Sequence, residues 1–562
     1  MNAQTPMTRR VVLNCVGILV FSTAAVFGQA SFMGLGKPVQ CNTTARPTGI
    51  SSDGAIAAGT CSSVMGTAEA LRFENGNWQS LGDLAGGQVG SAARAISGDG
   101  LVIIGESSSN QLDRDSFVWS NDMMQRLGSP AGVVTDIIAD SVSGDGSVVA
   151  GSIGRTSTHD AFSWKNGQFT LLGALTGDSS SDVEGISGDG SVAVGLSWNI
   201  GGPETAVFWK GNSPTPFRLA VLPECVVEPR PRGVSYDGAI VVASCRDGHG
   251  PDPLPQQMSF RVESGHVMRL ETLSGAIRGA IARSVSGDGA IVVGDALHDN
   301  SFEPAVWFGV GCEPTSLHGF LESKCGLDLG SWLLTSTGGI SADGTTIHGF
   351  GQNPQGISES WLARLPHLPP IIASSDPIHE SIDARSDWDV VSNTPHGTNT
   401  VRIRFTTEPQ DLITETLGPG SFSVMNQAGI PFQVIDVVAV INEPHTYDVL
   451  LADDVQGGTW TTITPIVQRA DGMTTPDLLC TPHVTFGILS GDVNGNRLTD
   501  TFDILALIDT LNEVAGAVRP LTSTDIDRSG ESDPMDILRL LELFDGVQTT
   551  VPWGGISLPP LP

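Results

Sequence analysis

The 562-residue sequence has few charged residues, which make up 16% of the chain, and few aromatic residues, which make up 6%. Only 29 residues are basic against 61 acidic ones, so the formal net charge is −32. This balance argues against nucleic acid as a partner, because phosphate binding needs a basic surface. The sequence also lacks His-Glu-x-x-His and Gly-x-Ser-x-Gly hydrolase motifs. We therefore expect a binding protein rather than an enzyme.

Long hydrophobic runs are absent beyond the N-terminus. Arg9 and Arg10 precede a mostly apolar stretch over residues 11–27, and Gly28-Gln29-Ala30 supplies small residues for cleavage. This pattern predicts a signal peptide over residues 1–30 and a bacterial protein that is secreted or held at the cell surface, with no membrane span in the mature chain. The paired arginines also loosely resemble a twin-arginine signal, so the export route stays open, with ordinary secretion favoured.

A Ser-x-Asp-Gly block recurs seven times between residues 31 and 366. The spacing of its aspartate ranges from 44 residues (189 − 145) to 55 residues (343 − 288). Self-similarity at this period is typical of a solenoid or a propeller. The repeated aspartates are Asp53, Asp99, Asp145, Asp189, Asp237, Asp288 and Asp343.

Each repeat contains four short segments that suit β-strands. A β-branched run such as Val148-Val149-Ala150-Gly151 follows Asp-Gly, and an aromatic segment such as Phe162-Ser163-Trp164 comes next. A Leu-Gly segment and a run into the next turn complete the unit. Asp-Gly suits a tight turn because glycine accepts positive φ. The pattern predicts a mainly β protein with a seven-bladed β-propeller-like domain over residues 31–366, and a parallel β-helix is the alternative.

The repeats resemble the HAF-type extracellular repeat family, which is named for a His-Ala-Phe stretch before tryptophan. The matching copy is His159-Asp160-Ala161-Phe162-Ser163-Trp164, and the fifth repeat has Phe260-Arg261 where tryptophan is expected. The resemblance implies a propeller-like architecture and export. It implies no particular chemistry.

The cysteines follow the repeat. Two units each contain one cysteine 12 residues before, and another 8 residues after, the repeated aspartate. An exported protein can keep such pairs oxidised. We expect the disulfides Cys41–Cys61, Cys225–Cys245 and, in one loop-rich stretch, Cys312–Cys325, and we expect Cys480 to be free.

Residues 367–489 have a different pattern. His367-Leu368-Pro369-Pro370 resembles a linker, and Val401, Ile403 and Phe405 then alternate with polar residues, which predicts a half-buried strand. Further strand candidates lie around Phe422, Tyr447 and Trp460, and the region predicts a β-sandwich. The segment Arg404-Phe405-Thr406-Thr407-Glu408-Pro409 resembles bacterial Ig-like domains, which implies a spacer between modules.

Residues 490–547 contain two 12-residue loops with oxygen donors at calcium-ligand spacing. Their first aspartates lie 33 residues apart (525 − 492). Ca²⁺ takes six to eight oxygen ligands, including one backbone carbonyl per loop, so we expect two Ca²⁺ sites. The predicted ligands are Asp492, Asn494, Asn496, Leu498, Asp500 and Asp503 in loop 1, and Asp525, Asp527, Ser529, Glu531, Asp533 and Asp536 in loop 2.

The two loops, each followed by an apolar helix, resemble a type I dockerin. That resemblance implies an EF-hand-like calcium module that docks onto a cohesin-like or cell-surface protein. Arg497 replaces the turn glycine of loop 1, while Gly530 keeps it in loop 2. Thr501-Phe502 and Pro534-Met535 replace the Ser-Thr pairs that many dockerins carry. Residues 548–562 form a tail.

The sequence therefore predicts a secreted, non-catalytic binding, adhesion or display protein with no cofactor besides calcium. A glycan is a candidate ligand of the repeat domain. The alternative is a glycoside hydrolase or an accessory protein in extracellular polysaccharide degradation, for which Glu184, Glu204 and Glu303 are candidate acids because they do not recur in every repeat.

Overall fold

The computed structural model describes residues 30–545 apart from short gaps. Within these residues no helix is both long enough and apolar enough to cross a membrane. The signal-peptide prediction lies almost wholly outside them. The gaps are 113, 131–135, 155–157, 212, 248–255, 300, 311, 367, 378, 380, 384–386, 390–393, 397–398, 408, 412–415, 454, 456–458, 470–482, 489–491, 494–498, 500, 513–523, 525 and 527–531.

Seven four-stranded antiparallel sheets occupy residues 31–364. The strands are β1 (Ser31–Gly34), β2 (Arg46–Ile50), β3 (Ile56–Ser62), β4 (Ala68–Glu74), β5 (Asn77–Ser80), β6 (Gly86–Ile96), β7 (Ile103–Ser109), β8 (Asp115–Ser120), β9 (Met123–Arg126), β10 (Ile137–Val142), β11 (Val148–Gly154), β12 (His159–Lys165), β13 (Gln168–Leu172), β14 (Ser180–Ile186), β15 (Val192–Trp198), β16 (Thr205–Lys210), β17 (Phe217–Arg218), β18 (Cys225–Val234), β19 (Ile240–Asp247), β20 (Gln257–Glu263), β21 (His266–Leu270), β22 (Ala280–Val285), β23 (Ile291–Leu297), β24 (Phe302–Phe308), β25 (Thr315–Ser316), β26 (Leu333–Ile340), β27 (Thr346–Gln352) and β28 (Ser358–Arg364).

Sheets 1 to 6 each consist of four consecutive strands, from β2–β5 through β22–β25. Sheet 7 combines β26, β27 and β28 with the N-terminal strand β1, which pairs with β28. The two ends of the repeat region thus share one sheet. Because all of these pairings are antiparallel, the parallel β-helix alternative is wrong.

Each Ser-x-Asp-Gly block forms the turn between the first two strands of its sheet. In all seven turns the serine hydroxyl donates to the aspartate Oδ1 at 2.5–2.7 Å. The same Oδ1 accepts the backbone N–H two residues later at 2.8–3.0 Å. The glycine has φ between +65° and +79° in every copy. The repeated aspartates are therefore turn formers, as the sequence predicts.

Backbone hydrogen bonds join these seven turns into a closed ring. Each turn donates one N–H to a carbonyl of the next turn, and the seventh turn donates to the first. The bonds are Ser52 to Gly98, Asp99 to Gly144, Gly144 to Gly188, Asp189 to Tyr236, Tyr236 to Gly287, Gly287 to Ala342, and Asp343 to Ser52, at 2.7–3.0 Å. The repeat region is thus a propeller-like ring in which the first strand of each sheet faces a central channel.

The aromatic strands supply much of the core between sheets. Trp209 and Trp307 are buried, and their indole N–H groups donate to the carbonyls of Gly173 and Glu271. In sheet 6 the tryptophan of the third strand pairs with one particular residue of the second strand. In sheet 5 the equivalent residue of the second strand pairs with Val262, not with Arg261. The assignment of Arg261 to the tryptophan position is therefore wrong by one residue.

Two of the three predicted disulfides are confirmed. Cys41–Cys61 and Cys225–Cys245 are bonded, each at the end of the second strand remote from the Asp-Gly turn. The predicted Cys312–Cys325 pair is wrong. Cys325 is a free thiol packed against an apolar cluster, and burial raises its pKa to about 11. Cys312 is disulfide-bonded to a partner outside the described residues, where Cys480 also lies.

The two disulfides indicate an extracellular or periplasmic protein, because disulfides persist in oxidising compartments. The two disulfides join cysteines at the same two positions of their repeat units. In both, the bonded cysteines are 20 residues apart in the sequence.

Two main sheets and two two-stranded sheets, β31-β32 and β34-β40, follow the ring, and the four predicted strands around Val401, Phe422, Tyr447 and Trp460 are confirmed. The main sheets have the orders β29-β33-β38-β37 and β30-β41-β39-β35-β36 and share one apolar core. The strands are β29 (Ile372–Asp376), β30 (Ile382–Asp383), β31 (Asp387–Asp389), β32 (Thr394–His396), β33 (Thr400–Phe405), β34 (Pro409–Asp411), β35 (Phe422–Asn426), β36 (Pro431–Phe432), β37 (Val434–Ala439), β38 (Thr446–Leu451), β39 (Thr459–Pro465), β40 (Val467–Arg469) and β41 (Val484–Ile488).

The β-sandwich packs directly against the ring. Arg261 is buried, and its guanidinium donates to the carbonyl of Gly289 in the turn of sheet 6 at 2.7 Å and to the carbonyl of Ala373 in β29 at 2.6 Å. Glu263 accepts a third bond from it at 2.9 Å. A buried arginine with these partners ties the two regions together, since removing one partner would strand a buried charge.

Three α-helices lie in the described chain. Helix α1 (Leu317–Ser323) packs against sheets 6 and 7. Helices α2 (Thr501–Leu511) and α3 (Pro534–Asp545) follow the two predicted calcium loops and contact each other. A 3₁₀ turn covers Pro419–Ser421.

The ring leaves almost no space at the second position of the fourth turn, which is Gly188. A Cβ on Gly188 would lie 2.2 Å from the Tyr236 ring. We predict that Gly188→Ala destabilises the protein by about 1–3 kcal/mol through overpacking. Adding Tyr236→Ala should recover most of that loss, because Tyr236 is 49% exposed and its ring is the clashing group. Thermal unfolding of the two single variants and the double variant measures the energetic coupling between Gly188 and Tyr236. If the stability losses of the two single variants simply add in the double variant, the predicted clash is wrong.

Candidate functional site

A β-bulge interrupts the first strand of every sheet at the same place. The register shifts five residues before the repeated aspartate in all seven sheets, so one residue there is left unpaired. A bulge re-aims its side chain away from the regular alternation of the strand. The seven residues, which we term the bulge positions, are Thr48, Arg94, Asp140, Glu184, Arg232, Arg283 and Gly338.

The bulge positions of sheets 1 to 4 line one polar cavity of about 610 Å³. Thr60, Glu106, Ser152, His159 and Asp182 from neighbouring strands complete much of its wall. At the bulge position of sheet 7, Gly338 has no side chain because the ring of His348 occupies the space, 2.3 Å from where a Cβ would lie. The channel is therefore lined by groups that hydrogen-bond or carry charge.

Arginine–carboxylate pairs organise this channel. Arg94 contacts Glu106 and lies 3.0 Å from Asp140, while Arg230 donates to both Glu184 and Glu204 at 2.9 Å. Such charge-assisted bonds hold both partners in defined orientations. The predicted acids Glu184 and Glu204 are thus brought together, whereas Glu303 lies elsewhere and pairs with His298 at 3.1 Å.

Two carboxyl groups of the channel have raised pKa values. Burial raises the pKa of Asp140 to about 7 against the charge of Arg94, and the carboxylates of Asp182, Glu184 and Glu106 contribute in the same direction as burial. Burial likewise raises the pKa of Asp182 to about 6, and Glu184 adds to the effect against a hydrogen bond from Ser152. One buried oxygen of Asp182, Oδ1, has no hydrogen-bond partner. Near neutral pH the protonated fraction of Asp140 can donate a hydrogen bond to a polar ligand.

Asp140, Asp182 and Arg232 were not among the sequence candidates. Asp140 and Arg232 have a positional signal, because the residue five before each repeated aspartate changes from unit to unit while the turn beside it stays constant, whereas Asp182 lies seven residues before Asp189. The bulge is visible only in the structure, however, and nothing in the sequence itself marks that position as one that faces the channel.

Few residues of the predicted calcium loops are described. Asp492 and Asp503 of loop 1 and Asp536 of loop 2 are fully buried, and the backbone N–H of Asp533 donates to Asp536 Oδ2 at 2.7 Å. Within the described ranges no group of three or more metal-ligating side chains is assembled. Eight predicted ligands lie outside those ranges: Asn494, Asn496, Leu498, Asp500, Asp525, Asp527, Ser529 and Glu531.

The described part of this module repeats its burial pattern at the 33-residue offset. Val493 matches Ile526, Leu507 matches Leu540 and Asp503 matches Asp536, and all six are at most 1% exposed. A carboxylate is costly to bury unless a cation or hydrogen bonds compensate it. The all-oxygen chemistry of the predicted ligands suits Ca²⁺.

The sequence matches no protein-family model and no curated protein. Its fold is similar to an oligogalacturonate lyase from Vibrio parahaemolyticus, at 10% identity and a TM-score of 0.41, covering 61% of this chain and 99% of that one. It is also similar to the β-propeller domain of the trilobed protease from Pyrococcus furiosus, at 10% identity and a TM-score of 0.36, covering 57% and 94%. TolB from Acinetobacter baumannii is 16% identical with a TM-score of 0.29, covering 39% of this chain and about half, 52%, of TolB. The likeness concerns the fold alone: the chain is mainly β and propeller-like.

The raised pKa of Asp140 predicts a pH-dependent cost to folding. A carboxyl whose folded pKa lies above its unfolded value of 3.8 is protonated in both states below about pH 4, and it is ionised at a cost in the folded state above about pH 7. Stability should therefore fall as pH rises through this window. We predict that Asp140→Asn raises Tm at pH 8 by about 2–4 °C, the shift that 1 kcal/mol produces in a large domain.

The comparison is made by differential scanning fluorimetry at pH 8 and pH 4. The advantage of the Asp140→Asn variant should disappear at pH 4, where the wild-type carboxyl is already neutral. Asp122→Asn, at an exposed outer hairpin, is the matched control and should leave Tm unchanged at both values. An equal effect of Asp140→Asn at both pH values would contradict the raised pKa.

Proposed function

We propose that this is a secreted, non-catalytic binding or display protein. In this proposal the ring is a seven-bladed β-propeller that binds a polar ligand, such as a glycan, in its central channel. An Ig-like sandwich supports it, and a dockerin-like module binds two Ca²⁺ ions and docks onto a cohesin-like or cell-surface protein. The resemblance to HAF-type repeats supports export and the propeller architecture.

The variation at the bulge positions carries the ligand-binding part of this proposal. The seven turns repeat the same Ser, Asp and Gly contacts, so they meet a structural demand common to all units. The bulge positions five residues earlier carry Thr, Arg, Asp, Glu and Gly instead, and those of sheets 1 to 4 line the channel cavity. Side chains that differ around a constant frame are the arrangement expected of a binding site.

An exposed apolar face supports the docking part. Phe502 and Leu505 on α2 are 68% and 55% exposed, and Leu538 and Leu541 on α3 are 49% and 42% exposed. Leu505 and Leu538 are related by the same 33-residue offset as the buried core. Helix faces that leave large apolar side chains in solvent are typical of protein–protein contact surfaces.

Calcium binding is the first test of the module. The close aspartates of each loop repel one another without a cation, so the helices should depend on the metal for their packing. We predict two calcium-binding events by calorimetry on the full-length mature chain. Asp525→Ala with Asp527→Ala should lower affinity more than Asp492→Ala with Asn494→Ala, because Gly530 keeps the turn residue that Arg497 replaces. Equal losses would refute this ranking, and a chain that releases no heat with calcium would refute the sites.

Docking is tested separately from calcium. The double variant Leu505→Ser with Leu538→Ser should abolish capture of a cell-surface partner. The heat of calcium binding should stay unchanged, because both side chains are exposed and do not support the fold of the module. Leu171→Ser, on an exposed strand of the ring, serves as the matched control. Loss of partner capture in the control as well would argue against a docking role for the helices.

A glycoside hydrolase is the second candidate function, and the raised pKa values of Asp140 and Asp182 favour it, since a protonated carboxyl near pH 7 can serve as a general acid. Reducing-sugar release from polysaccharides, lost in Asp140→Asn and Asp182→Asn, would establish this activity in place of simple binding. Ligand binding on a glycan array without sugar release supports the first proposal.

A further inference from the structure

The arginines at the bulge positions differ in whether they have a carboxylate partner. Arg94 in sheet 2 contacts Glu106, and Arg283 in sheet 6 contacts Asp295 Oδ2 at 2.5 Å. Both partners stand twelve residues after the bulge, on the second strand of the same sheet. The third bulge arginine is Arg232 in sheet 5, and the residue twelve positions after it is Ser244. At this position of the repeat, two of the arginines therefore have an acidic residue and the third has a neutral serine.

No other carboxylate replaces the missing partner. Glu184 and Glu204 are both held by Arg230, and among the described residues the side chain of Arg232 forms neither a hydrogen bond nor an ion pair. Carboxylates outnumber basic residues by 61 to 29 in this chain. Arg232 is therefore the one bulge-position arginine that has no carboxylate partner among the described residues.

Arg232 is exposed to solvent and lies near several charged groups. Burial lowers its pKa, the negative charge of Glu184 opposes this effect, and the positive charges of Arg283 and Arg230 lower the pKa further. Its bulge position corresponds to those of sheets 1 to 4, whose side chains line the channel cavity. An arriving anion would relieve the repulsion among the three guanidinium groups and would be weakly screened there.

We propose that Arg232 is the anchor of an anion site in the central channel, and that the ligand of the ring carries a carboxylate or sulfate group. This inference rests on the proposed ligand-binding role of the ring. The planar guanidinium can bind either anion through two parallel hydrogen bonds. Asp140, Glu184 and the hydroxyl groups of the cavity wall line the same channel, where they can bind the hydroxyl groups of the same ligand.

Matched monosaccharides test the anion directly. Calorimetry on the full-length protein compares glucuronate and glucose 6-sulfate with glucose, which shares the ring but has no charge. We expect one of the two anions to bind more tightly than glucose, and the stronger of them identifies the group. Arg232→Gln should weaken that binding about tenfold or more, the effect of losing a charge-assisted pair. Arg232→Lys should cause a smaller loss, because lysine keeps the charge without the planar fork.

Arg218→Gln is the matched control, since Arg218 is an exposed arginine on β17, the outermost strand of sheet 4. It should leave affinity unchanged. Equal affinities for the anions and glucose, or equal losses in the Arg232 and Arg218 variants, would overturn the anion site. If a glycan array then shows neutral ligands bound in the channel, the proposed function stands and only the anion site fails. If no sugar binds at millimolar concentration in either assay, both fail.

Discussion

The seven hydrogen bonds that link the Ser-x-Asp-Gly turns are the constraint on which the rest of the ring depends. Each sheet alone is a small antiparallel unit that cannot bury its own faces. The turn bonds set the distance between neighbouring first strands, and that distance permits only small residues at most second positions of the motif, as at Gly98, Gly144 and Gly188. Strand β1 then completes sheet 7, so the two ends of the repeat region cannot separate without breaking a sheet.

This frame separates residues that support the fold from residues at the bulge positions. Five residues separate each turn aspartate from a bulge, so a constant turn and a variable side chain lie on the same strand. In this arrangement Arg94, Asp140, Glu184 and Arg232 can differ without disturbing the turns. Burial raises the pKa of Asp140 to about 7 against the opposing charge of Arg94, and Arg232 has no ion-pair partner among the described residues.

Much of this fold could be predicted from the sequence because its signals are local. Asp-Gly turns, alternating strands such as the one ending at Phe405, and cysteines in a common repeat register all depend on residues close in sequence. The failures involve contacts between distant parts. Cys312 and Cys325 are close in the chain, but only packing shows that Cys325 faces an apolar cluster. Likewise, Arg261 in β20 contacts Ala373 in β29, far away in the sequence, and the bulge at Arg232 has no sequence signal of its own.

Amide hydrogen exchange at the seven turns tests the closed ring most directly. The N–H groups of Ser52, Asp99, Gly144, Asp189, Tyr236, Gly287 and Asp343 each donate to the neighbouring turn. A closed ring predicts that the amide of Asp343, which bonds to the first turn, is protected as strongly as the six others, since opening it requires the ring to open. Fast exchange at Asp343 alone, with the other six protected, would show an open array and contradict the account.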